Sequence, residues 1–173
     1  DYDFGSHSVG TATQGHATRD TSWIAHADSS GNWVWAENVT TKSNYNGDGT
    51  GHYFTMDKFS DDTLFFAYIS ESTYCTKIEF AGSSSSVLPT EYNRYCSHVA
   101  TMNHTTSDVI SLERRIGYDA NNDNFIGVSI YSAVDSDDIA HVLINMNSGH
   151  DLRTTGFDKG LNLAYDVTSA TAY

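Results

Sequence analysis

The chain has 173 residues, enough for one domain of ordinary size, with 39% hydrophobic residues that include 11 Tyr, 8 Phe and 3 Trp. That much core material excludes wholesale disorder. A net charge of -13, from 22 acids against 9 Lys plus Arg, repels phosphate backbones and anionic membrane surfaces and attracts divalent cations.

Residues 1–20 are rich in Gly, Ser, Thr and His and poor in large apolar side chains. They read as a flexible or strand-donating arm ahead of a single β domain over 21–173. Alternation then sets in. Trp23–Ala27 and Asn32–Glu37 flank Ser29-Ser30-Gly31, which predicts a hairpin with Trp33 and Trp35 on one face. After a polar loop, His52–Met56 and Thr63–Ile69 read as strands, the second apolar enough to be central in a sheet. The segment from Thr73 to Phe80 alternates, and Ala81–Ser86 reads as an exposed turn.

Residues 107–117 fit a short helix or a strand. The surrounding pattern favours the strand, with Ile110, Leu112 and Ile116 inward. Phe125–Val134 and Ile139–Met146 form the clearest hairpin, across Asp135-Ser136-Asp137-Asp138. Its inward residues are Ile126, Val128 and Ile130 on one arm and Ala140, Val142, Ile144 and Met146 on the other. A last strand alternates from Leu161 to Val167. The sum is an all-β chain of about eight to ten short strands with little helix: an antiparallel sandwich, jelly roll or small barrel. No internal repeat of useful fidelity stands out.

The only cysteines are Cys75 and Cys96. Without a C-x-x-C spacing or a paired-histidine pattern they suit a disulfide better than zinc, and closing a loop of about twenty residues stabilises by roughly 3 kcal/mol. Sequons begin at Asn38 and Asn103. These features predict an extracellular or cell-surface address. The opening Asp1-Tyr2-Asp3-Phe4 has no signal-peptide character, so a mature form is expected, and no run of about 18 apolar residues predicts a membrane span.

The sharpest local motif is Asp119-Ala120-Asn121-Asn122-Asp123-Asn124-Phe125. Oxygen-bearing side chains at positions one, three and five of a tight loop, with a main-chain carbonyl at seven, converge on calcium. The segment resembles the calcium loops of EF-hands and dockerins. That resemblance implies ligation by Asp119, Asn121, Asp123 and the Phe125 carbonyl. It departs from those loops in carrying Asn124 at position six and Ile130 at twelve. Asn44–Gly51 carries a fainter version and reads as a plain glycine-rich loop.

The eight histidines lack metal-ligand spacing, and no G-x-S-x-G or H-E-x-x-H occurs. The acid pairs Asp61-Asp62 and Asp137-Asp138 would point to opposite faces if they lay on strands. The functional expectation is therefore a structural or adhesive surface module, a self-assembling filament, fibre or coat subunit stabilised by calcium and a disulfide. Its partners would be a second copy or a cell-surface glycan. The alternatives are a calcium-dependent carbohydrate-binding module, with Trp33, Trp35 and Tyr45 as the ligand platform beside Trp23 and Tyr53, and a secreted hydrolase.

Overall fold

The computed structural model of the protein describes residues 2–4, 7–9, 22–43, 50–71, 75–80, 83–86, 95–114, 127–146 and 151–170. Side-chain surroundings are described along 23–37, 54–68, 98–112, 130–144 and 152–167. The strands are β1 (Tyr2–Phe4), β2 (His7–Val9), β3 (Ser22–Ala27), β4 (Trp33–Ser43), β5 (Thr50–Lys58), β6 (Thr63–Glu71), β7 (Cys75–Phe80), β8 (Ser83–Ser86), β9 (Tyr95–Asn103), β10 (Val109–Arg114), β11 (Gly127–Val134), β12 (Ala140–Met146), β13 (Asp151–Phe157) and β14 (Leu163–Ala170). All ladders among them are antiparallel, and the described residues contain no helix. The all-β expectation is met as a sandwich. Short paired segments raise the strand number above the eight to ten read from sequence. One is β8, whose serines, expected in a loop, pair with β7.

Three four-stranded sheets carry the fold, in the orders β3-β4-β7-β8, β10-β9-β6-β5 and β11-β12-β13-β14, while β1 and β2 pair with each other. The second sheet is central. Phe65, Ala67 and Val99 pack with Ile130, Val142, Ile144 and Phe157 of the third sheet. Phe66, Tyr68, Ala100 and Met102 pack with Trp35 of the first. Neighbours along β6 thus enter opposite cores, and Phe65, Phe66, Ala67 and Tyr68 are all inaccessible to solvent. A strand covered on both faces has no polar alternate positions, which explains its continuous apolar run.

The central and third sheets also meet edge to edge. Main-chain Val134 N–H donates to Asp57 Oδ2 (2.7 Å) and Ser132 N–H to Thr55 Oγ1 (3.2 Å). Side chains of β5 thereby satisfy donors on β11 that would otherwise face outward from a sheet edge.

Bulges account for the largest departures from the sequence reading. The ladder of β3 with β4 shifts register between His26 and Ala27, pairing His26 with Trp35 and Ala27 with Trp33. The extra residue, Val34, packs toward the core, so the two tryptophans do not share a face. Trp35 is 7% exposed and Trp33 42%. A second shift between Val109 and Ser111 leaves Ile110 exposed while Val109 and Leu112 pack inward. Residues 107–117 were expected to place Ile110 in the core; the bulge moves it out. At the last strand, Leu161 precedes the ladder and is buried in a turn, whereas Leu163 and Val167 are exposed.

Candidate functional site

Among the described residues, four hairpins close with one turn design. In residues 28–32, 59–63, 135–139 and 158–162, the first N–H donates to the fifth carbonyl and the fourth N–H to the first carbonyl. The fourth residue has positive φ: Gly31 (84°), Asp62 (64°), Asp138 (57°) and Leu161 (63°). This is a three-residue loop, a tight turn followed by one left-handed residue. Residues 103–108 form a version one residue longer, with Ser107 left-handed. A bulky side chain in that conformation is strained, and in Leu161 complete burial in the core offsets the strain.

Most of these turns are braced by their own first residue. Asp28 Oδ1 accepts from Ser30 N–H (2.8 Å) and Asn32 N–H (2.9 Å), and Asp135 Oδ1 from Asp137 N–H (2.9 Å) and Ile139 N–H (3.0 Å). Asp158 Oδ1 accepts from Asn162 N–H (2.9 Å), and Asn103 Oδ1 from Thr105 N–H (2.8 Å). The acid pairs Asp61-Asp62 and Asp137-Asp138 lie in these turns and not on strands, so the opposite-faces expectation does not apply to them.

All five tips lie at one end of the stack. Asp138 accepts from Ser60 N–H (2.8 Å) and Ser60 O–H (2.6 Å), and Lys159 pairs with Asp61. On the other flank, Trp35 Nε1–H donates to the His104 carbonyl (2.7 Å) and Ser107 O–H to Glu37 (2.8 Å).

At this end a cleft of about 320 Å³ opens between β3 and β4 on one side and β5 and β6 on the other. Trp35, Met56 and Leu64 give it an apolar wall, His26 and His104 bring imidazoles, and Lys58 and Asp62 form an ion pair on its rim. The His26 ring lies 5.7 Å from that of Trp35 and 6.1 Å from that of His104, centroid to centroid. His26 Nδ1 is enclosed and has no hydrogen-bond partner among the described residues. The residues that build this hollow are distant in sequence, and no local motif signals them.

The hairpin-tip end is electrostatically organised. The Lys159 ammonium, with help from Thr63, holds the Asp61 carboxyl down at about 2. Hydrogen bonds from Lys58 lower Asp62, from Asn32 lower Asp28, from Ile139 N–H lower Asp135 and from Asn162 lower Asp158. A carboxyl lowered in the folded state stabilises the fold above its unfolded value, and that contribution is lost as pH falls through the folded value. The unfolding temperature is therefore expected to hold above about pH 4 and drop between about pH 4 and pH 2. A flat profile through that window, followed by circular dichroism, would remove these turn carboxylates from the stability account.

A second polar chain crosses the outer face of the third sheet. His141 bonds Asp135 through Nε2 and the Tyr165 hydroxyl through Nδ1, both at 2.6 Å. Desolvation, then the Asp135 charge, pushes the Tyr165 phenol up, so it stays protonated and the chain acts as a brace across the strands.

Of the residues singled out by sequence, Trp35 forms the floor between core and cleft and Trp33 stands exposed away from it; the structure does not unite them as a platform. Asn103 is exposed and braces its own turn. Asn38 lies in β4, Cys75 opens β7 and Cys96 lies in β9. β7 and β9 belong to facing sheets that come into contact, although the side chains at 38, 75 and 96 lie outside those described. Tyr45 and the loop bearing Asp119, Asn121, Asp123 and Phe125 also lie outside the described residues. Among the described residues no three or more His, Cys, Asp or Glu side chains converge to hold a metal ion, and no helix is long and apolar enough to cross a membrane.

Fold and cleft together define a stacked antiparallel β protein with one end built of braced turns. In sequence, the chain matches no known protein family and no curated protein.

Proposed function

We propose that the chain is an extracellular adhesive surface module that binds one sugar ring of a glycan in the cleft at its hairpin-tip end. The observation that carries this reading is the composition of the cleft: an apolar wall of Trp35, Met56 and Leu64 beside His26, His104 and the Lys58–Asp62 pair. A pyranose has the same two-sided character, with C–H groups on its face and hydroxyls around its edge. Aromatic and aliphatic side chains take the face, and imidazole, ammonium and carboxylate groups exchange hydrogen bonds with the edge. The braced turns favour such binding because a preformed wall loses little conformational entropy when the ligand arrives. Calcium at Asp119, Asn121, Asp123 and the Phe125 carbonyl, and a Cys75–Cys96 disulfide, belong to the same proposal as stabilisers of the module outside the cell.

A glycan array, followed by titration of the best ligand, tests the reading. Substituting the exposed cleft residue Met56 by Asp, or His26 by Ala, is expected to weaken binding by about threefold to tenfold, the scale of one lost hydrogen bond or buried methylene group, with little change in unfolding temperature. Silence across the array, or a ligand whose affinity ignores both substitutions, would end the cleft reading. A chelator that leaves the unfolding temperature unchanged would remove calcium from it.

A further inference from the structure

We infer that the outer face of the β11–β14 sheet is a homotypic interface, the surface on which a second copy of this chain docks. The register aligns Tyr131, Leu143, Thr154 and Val167 in one row across the four strands. Leu152 stands one row beyond. Tyr131 is 62% exposed, Val167 55%, Leu152 38% and Leu143 36%. A sheet face turned to water normally alternates polar residues into such positions. Here they are apolar.

Charge identifies the occupant. Apart from Asp135, which bonds His141 at the turn end of the face, none of the described side chains on it is Asp, Glu, Lys or Arg, because the ion pair of these strands, Arg153 with Asp166, stands on the other face. Two chains of net charge -13 repel on most approaches, and an uncharged face is where like chains meet without juxtaposing like charges. A basic partner would be drawn to the acidic surfaces instead. A two-fold axis lying across the strands makes the contact self-complementary and sets the Asp135 ends of the two faces apart.

Size sets the expected strength. Four strands at about 4.8 Å by seven residues at about 3.4 Å make a face of roughly 460 Å². Two such faces bury on the order of 900 Å², just below the smallest stable specific interfaces. Association is therefore expected to be weak and to depend on concentration.

Sedimentation velocity on the full chain, from roughly 1 μM to 1 mM, is the test. The expected result is a monomer that shifts to dimer with concentration, at lower concentration when salt screens the net charge. Val167→Glu should hold the chain monomeric with its unfolding temperature unchanged. Thr154→Lys and Thr154→Glu chains should each stay monomeric and recover the dimer when mixed, a recovery that requires both to be folded and the face to be buried. A monomer at every concentration and salt level overturns the inference. So does a dimer that persists in Val167→Glu, or a monomer that instead sediments with neutral lipid vesicles.

Discussion

Phe65→Ala and Phe66→Ala are each expected to lower the free energy of unfolding by about 3–5 kcal/mol, the range for emptying a large aromatic site in a packed core. Both side chains are fully buried, one against Phe59 and Phe157, the other against Phe54 and in the cluster that includes Trp35. In an ordinary two-layer sandwich, neighbours on a strand alternate between core and solvent, and one member of such a pair would be nearly neutral. Equal, large losses from adjacent residues are the signature of a central sheet. Denaturant unfolding of the two variants decides it, because a cheap substitution at either position is incompatible with the stack described above.

Gly156→Ala should cost about 1–3 kcal/mol, far more than an exposed strand glycine would. Gly156 pairs with Tyr165 on one side and His141 on the other. The Tyr165 ring lies over it and reaches His141. A Cβ at position 156 would come within 2.2 Å of Tyr165 Cε1 and 2.5 Å of Cδ1, so the ring must leave and its hydroxyl must give up the His141 bond. Tyr165→Ala in the Gly156→Ala background removes the collision, and the second substitution should then cost much less than Tyr165→Ala alone. Additive losses across that double-mutant cycle would show that the ring and the glycine are independent.

The sequence carried the fold class well because its strongest signals were local. The run Leu64–Ile69 had no polar alternate positions, and only a strand covered on both faces explains it. The hairpin around Asp135–Asp138 was legible from its turn residues, and its inward set Ile130, Ala140, Val142 and Ile144 is buried. The Trp33 and Trp35 pairing failed for a physical reason: one inserted residue, Val34, reverses the two-residue period, and nothing in the side chains announces a bulge. Ile110 was misplaced in the same way.

The repeated turn has no sequence signature for a different reason. Its defining position is a backbone conformation, filled by Gly31, Asp62, Asp138 and Leu161, four residues that share φ and no common chemistry. A visible trace was the aspartate opening three of the turns, Asp28, Asp135 and Asp158. The cleft was beyond reach for any local reading, since His26 and His104 meet only after two sheets have stacked. Spacing along the chain says nothing of histidines in a site assembled across layers.

Because each braced turn is closed by an oxygen of its own first residue, its shape owes little to the strands beneath it. The tip end can therefore be rewritten one hairpin at a time, exchanging the residues between brace and left-handed position, while the phenylalanine-rich layers below are left untouched. Such a division of labour lets a surface diversify in what it contacts, with the buried layers as a fixed chassis and the four self-braced tips as interchangeable fingers.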